Sequence, residues 1–180
     1  MGLDLQNPTY VCLEIPEPQR SAIRRLRDEL CERLVAFPVE ITIAGSSGLG
    51  AIAGSAEWAT VESRLIAVCS HTPPIVTRFG GVVRFPGTDT FVLSVGDPTP
   101  FIDVHEALKH SGIAFEPNLY PFFPHCSLRM SGPLSPVDIS RIFSLRVEGE
   151  FEISTMSLQA RDGSGTVSRV WSHALTGRSV

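Results

Sequence analysis

Two stretches of this chain repeat one pattern. "FPVEITIAG" (37–45) and "FFPHCSLRM" (122–130) each place Phe-Pro just ahead of a run in which apolar and polar residues alternate. Both runs therefore read as strands. Each carries a titratable residue followed two places later by a hydroxyl: Glu40 with Thr42, and His125 with Ser127. Side chains two apart on a strand share a face, so each strand sets an acid–base group beside a hydroxyl. Positions 40 and 125 stand 85 residues apart in a chain of 180. Each strand also comes soon after a helical segment that follows an earlier strand. A chain organised in this way is expected to form two similar lobes facing one another.

The segments between these runs fill in the rest. "TYVCLEI" (9–15) is β-prone, and a helix is expected from Pro18 to Leu34, with Ile23, Leu26, Leu30 and Leu34 recurring at helical spacing. Its other face is read as carrying Arg20, Arg24, Arg27 and Asp28. Ser55 is the expected cap of a second helix whose buried stripe includes Trp58, Leu65 and Val68. Residues 73–97 read as successive strands broken at Gly-Gly and at Pro-Gly. "DPTPFIDVHEALKHSGI" has Thr99 as N-cap, Pro100 in the first turn and Gly112 at the stop. Ser135 and Pro136 open a short helix through Phe143, and the chain closes with a hairpin around "DGSG". The expected order is β-α-β-α-β-β-β-α-β-α-β-β. Antiparallel hairpins in the middle and at the end point to an α+β fold: two pseudo-symmetric lobes of antiparallel sheet, helices on the outer faces and a central cleft. Residues 1–180 are read as one domain of two lobes without a separate linker.

A net charge of −4 argues against a broad electrostatic footprint for duplex DNA, yet allows a small phosphate pocket with a few local cations. The first residues carry neither a basic region nor a long apolar stretch, and no apolar run reaches the ~20 residues of a spanning helix. No membrane association and a cytoplasmic location are expected. Cys12, Cys31, Cys69 and Cys126 are widely spread, with no C-x-x-C pair, and are read as free thiols.

Alone, His-x-Ser fits a phosphate site or a solvated edge. Two matching strands could grip a phosphodiester from both sides. A neutral imidazole takes a proton from the attacking oxygen, an acid gives one to the leaving oxygen, and the hydroxyls donate to the non-bridging oxygens. Here the chain resembles the two-histidine phosphoesterase superfamily, which includes the bacterial 2′-5′ RNA ligases. That family carries two H-x-[T/S]-x motifs on strands of two pseudo-symmetric lobes. "PHCSLR" matches the second motif with His125 and Ser127. "EITI" keeps Thr42 of the first but has Glu40 where the family has histidine. The resemblance implies a phosphoesterase acting on 2′,3′-cyclic phosphates of RNA ends or nucleotides, or on 2′-5′ linkages, without a metal or other cofactor; a monomer is expected. His125 would be the base, and Thr42 and Ser127 the phosphate donors. Three roles stand open for Glu40: a protonated acid raised by burial and by phosphate, an acceptor for a ribose hydroxyl or base edge, or the mark of a site that only binds nucleotide or phosphate.

Further substrate contacts are expected from Arg129, on the His125 face, from Ser46 and Ser47 in the loop after the first motif, and from Tyr120, which could stack on a base. Gly48, Gly50 and Gly54 in that loop also suggest a dinucleotide-binding turn, but no Walker lysine and no suitable acidic residue accompany them, so a loop is expected. His105 and His110 fall on different helix faces and do not suggest a shared metal. His71 precedes Pro73 and Pro74 in a turn, and His173 on the last strand is read as structural or exposed.

Overall fold

The computed structural model, described for residues 3–130 and 132–178, contains two four-stranded antiparallel sheets. The elements are β1 (Thr9–Glu14), α1 (Gln19–Leu30), α2 (Glu32–Val35), β2 (Glu40–Ala44), α3 (Trp58–His71), β3 (Ile75–Arg84), β4 (Phe91–Val95), α4 (Thr99–Lys109), β5 (His125–Arg129), α5 (Pro136–Ser144), β6 (Glu150–Ile153), β7 (Thr155–Arg161) and β8 (Val167–Ala174). The first sheet runs β2-β1-β7-β8 and the second β5-β4-β3-β6. In each, a strand, a helix and an antiparallel strand follow one another (β1-α1-β2 and β4-α4-β5), and the last of the three becomes the sheet edge. The two-lobe α+β expectation is met.

A single core cluster fills the inner faces. Val11, Leu13, Ile41, Ile43, Met156 and Leu158 from the first sheet join Phe91, Leu93, Cys126 and Leu128 from the second. The alternation read from the sequence is the one realised: on β2, Ile41 and Ile43 are inaccessible while Glu40 and Thr42 are half-buried on the opposite face.

Several boundaries differ from expectation. The first helix stops at Leu30, because Cys31 is extended (φ −162°, ψ 91°), and Leu34 lies on the short α2. Arg27 is not on the solvent face but 3% exposed: it stands four after Ile23, on the buried stripe. Glu57 replaces Ser55 as the N-cap of α3, and Pro98 replaces Thr99 as that of α4. Gly80-Gly81 does not break the strand. β3 runs through it with a bulge between Phe79 and Val82, where a Cβ on Gly80 would stand 2.4 Å from Ser94 Oγ. Residues 73–97 thus hold two strands, not three.

"EFEISTMSLQAR" is divided between the two sheets. β6 pairs with β3 in the second sheet, and after Ser154 the chain crosses to pair as β7 with β1 and β8. The buried positions change parity there, from Phe151 and Ile153 to Met156 and Leu158. The opening of α5 agrees with the sequence: Ser135 accepts from the Asp138 amide and Asp138 returns the bond, a capping box. The closing hairpin also forms as expected.

Candidate functional site

β2 and β5 are edge strands of different sheets, and they lie against each other. Their polar faces border one cleft of about 200 Å³, lined by Glu40, Thr42, Ser46, His125 and Ser127, with Tyr10, Arg27 and Arg161 among its other walls. The two motifs of the sequence are therefore two sides of one cavity. Ser47, Tyr120 and Arg129 do not line it. Tyr120 is 70% exposed, and its carbonyl accepts from the Gly48 amide. Arg129 is buried with its guanidinium donating to the carbonyls of Asp89 and Gly132, which ties β5 to neighbouring turns.

His125 is held in one tautomer. Its Nδ1 lies 2.6 Å from the Phe123 carbonyl, which can only accept, so Nδ1 carries the hydrogen and Nε2 of the neutral ring keeps its lone pair. Phe85 meets the imidazole edge-on at 5.1 Å, and Phe123 stacks at 5.9 Å. Burial pushes its pKa below the ordinary histidine value, against the pull of the Phe123 carbonyl. At neutral pH this is a free base.

Glu40 is in the opposite condition. Its Oε2 is out of solvent and has no hydrogen-bond partner among the described residues. Burial pushes the carboxyl up to about 7, and the Glu14 charge adds to the rise. The neighbouring Cys12 thiol, which itself donates to Thr42 Oγ1, and the charge of Arg27 work against it. Near neutrality a substantial fraction of Glu40 is a carboxylic acid. One face of the cleft thus offers a base and the other an acid.

Arg27 and Arg161 are the cations that sequence reasoning did not select. The Arg27 Nε donates to the Ser127 carbonyl at 2.9 Å, Nη1 to the carbonyls of Phe37 and Pro38 at 3.0 and 2.9 Å, and Nη2 to Cys126 Sγ. It joins the approach to β2 to the backbone of β5. The available signal was a charged residue on an apolar helical stripe. Arg161 ends β7 at the cleft wall, a place that depends on the sheet change at Ser154.

The glycine loop after β2 has a packing role. Gly48 has φ +69°, and a Cβ there would stand 2.3 Å from His105 Cε1 and 2.8 Å from Phe122 Cβ. His105 stacks on Phe122 at 4.0 Å, and its Nδ1 donates to the Ile43 carbonyl at 2.9 Å. His105 is buried and His110 exposed, as their spacing implied. His71 is the last residue of α3, and His173 stacks on Trp171. Among the described residues no three His, Cys, Asp or Glu side chains gather as a metal ion would need. No helix there is long and apolar enough to cross a membrane.

Residues 15–165 match the family described as the 2′-5′ RNA ligase superfamily. Among solved structures, TT0787 of Thermus thermophilus superposes with a TM-score of 0.66 at 16% identity, covering 96% of this chain and 100% of that one. E. coli LigT complexed with 3′-AMP gives 0.61 at 17% identity, over 94% and 98%. A structure described as a phosphoesterase gives 0.59 at 16%, over 94% and 99%. At these identities the likeness is one of fold. No curated protein matches the chain.

Proposed function

The chain belongs to the 2′-5′ RNA ligase superfamily, and from that premise we propose that it is a phosphoesterase opening 2′,3′-cyclic phosphates, or cleaving 2′-5′ phosphodiesters, of RNA ends or nucleotides. The observation that carries this reading is the common cleft of Glu40, Thr42, His125 and Ser127. Support also comes from LigT, solved with 3′-AMP and with ATP.

In this reading His125 Nε2 takes the proton of a water as its oxygen attacks phosphorus. A new P–O bond forms, the bond to the ribose oxygen breaks, and Glu40 gives its proton to that oxygen. The cycle consumes one water and leaves His125 protonated and Glu40 ionised until they exchange protons with solvent. The hydroxyls of Thr42 and Ser127 donate to the non-bridging oxygens, where charge accumulates. Arg161 contributes positive charge at the mouth. Arg27 is a positioning residue, because its donors are occupied by backbone carbonyls and Cys126 Sγ.

Hydrolysis of a nucleoside 2′,3′-cyclic phosphate by the wild type and by His125→Ala is the direct test. Turnover falling by about 10²–10⁴ in the variant is expected; equal turnover in both, or none in either, overturns the catalytic reading. A second reading rests on the carboxylate at position 40: a site that binds nucleotide without turning it over. Activity appearing only in Glu40→His would favour that reading.

A further inference from the structure

A second cavity of about 350 Å³ adjoins the cleft, and Glu40 lines both. It is formed by Arg20 and Arg24 of α1, Glu14 of β1, Gln159 of β7, Arg169 of β8 and the segment 35–40. Its volume suits a small ligand. Two features mark it as more than a gap. The first is a pair of unpartnered acceptors. Gln159 is 3% exposed, and its Oε1, like Glu40 Oε2, has no hydrogen-bond partner among the described residues. A buried acceptor without a donor is costly, so both oxygens call for a ligand that donates, such as a sugar hydroxyl.

The second is charge. Glu14 is bridged by Arg169 at 2.9 Å and approached by Arg20 at 3.8 Å. Arg24 makes no ion pair among the described residues and is exposed beside them. Three guanidinium groups thus line the alcove with two carboxyl groups, Glu14, already shared by Arg169 and Arg20, and Glu40 at the boundary with the cleft, so the balance of charge on the wall is positive and suited to a phosphate. The position has chemical meaning as well. If Glu40 protonates the leaving oxygen, the alcove lies on the leaving-group side of the reaction, with His125 lining only the cleft.

We propose that this alcove is the leaving-group subsite and takes a ribose bearing a further phosphate, its hydroxyls on Glu40 and Gln159 and its anion on Arg24 with Arg20 and Arg169. The inference rests on the reading of Glu40 as the acid. It names the substrate class as nucleotides carrying a second phosphate, as the terminal residue of an RNA strand does, in preference to a bare cyclic nucleoside phosphate.

The test compares adenosine 2′,3′-cyclic phosphate with the same compound bearing a 5′-phosphate. Wild-type protein and Arg24→Ala are used; Arg24 is exposed, so the replacement leaves α1 folded, which circular dichroism checks. In parallel, calorimetry compares adenosine 3′-phosphate with adenosine 3′,5′-bisphosphate. The expected result is about a tenfold higher kcat/KM for the 5′-phosphorylated substrate in the wild type, with that ratio falling towards one in Arg24→Ala. Equal kcat/KM for both substrates in the wild type overturns the alcove and leaves the hydrolytic reading standing. If neither compound is hydrolysed, yet the bisphosphate binds about tenfold tighter and Arg24→Ala abolishes the difference, the alcove stands and the hydrolytic reading falls. Neither turnover nor an affinity difference overturns both.

Discussion

The guanidinium of Arg27 donates to the carbonyl of Ser127 at 2.9 Å, across 100 residues of sequence. The same group holds the carbonyls of Phe37 and Pro38, just ahead of Glu40. Its counterpart is His105, which reaches from α4 to the carbonyl of Ile43 on β2 at 2.9 Å. Each helix, α1 and α4, thus braces the motif strand of the other sheet. An edge strand carries backbone groups that its own sheet leaves unpaired. Here some of those groups are satisfied from the opposite lobe, so the two halves of the cleft are fixed to each other.

Arg27→Met removes those donors and leaves the carbonyls of Phe37, Pro38 and Ser127 without them in a partly buried place. A loss of about 3 kcal/mol or more is expected in urea unfolding. Arg27→Lys recovers only part of it, because one ammonium cannot reproduce the planar fork.

The pH dependence of kcat/KM follows from the two opposed shifts. In the proposed mechanism His125 serves as base only above its lowered pKa, and Glu40 as acid only below about 7. A bell with its maximum on the acid side of neutrality is expected for cyclic phosphate hydrolysis. Cys12, Glu14 and Arg27 are the charged or titratable groups acting on Glu40, and Arg27 stays charged throughout. Glu40→Gln lowers the rate and removes the alkaline limb; an alkaline limb unchanged in position in that variant would falsify the acid role.

Stability should also depend on pH through Glu40. Its folded pKa is raised from 4.5 to about 7, so between these values the folded state holds the proton that the unfolded state has released. Stability therefore falls as pH rises through that window, by about 3 kcal/mol in all. His125 acts in the opposite sense: its folded pKa lies below 6.5, so stability rises with pH from the folded value up to 6.5. In Glu40→Gln only the rise should remain, giving a variant more stable than the wild type at pH 8 by chemical denaturation.

Thr42→Ala and Ser127→Ala each remove one hydroxyl from the cleft without opening the core, since both side chains are half-buried. Each is expected to lower kcat by about 10² while the thermal midpoint moves little.

Gly48→Ala brings a Cβ to 2.3 Å from His105 Cε1 at φ +69°. A loss of about 1–3 kcal/mol is expected, with the loop bearing Ser46 displaced. Thermal unfolding measures the first effect, and the KM for the cyclic phosphate the second.

Much of the candidate site was legible because strand period and residue chemistry are local. Alternation alone put Glu40 with Thr42 and His125 with Ser127, and the Phe-Pro echo marked the strands as counterparts. Arg129 shows the limit of that reasoning. It shares a strand with His125, yet its long side chain reaches the carbonyls of Asp89 and Gly132, which no local pattern announces. Gly80-Gly81 shows another. The pair signals a break by composition, and it becomes a bulge because Ser94 lies against it from the neighbouring strand.

By itself, then, the sequence determined the motif strands, the order of most elements and the antiparallel two-lobe plan, since each follows from residue type and spacing within one segment. The tertiary structure decided that Arg27 is a brace between lobes, that "EFEISTMSLQAR" changes sheets at Ser154, and that the Glu40 carboxyl is raised above its ordinary value. Those three depend on burial and on partners distant in sequence. Desolvation, which moves the Glu40 carboxyl to about 7, exists only once β1, β2 and β5 have closed around it.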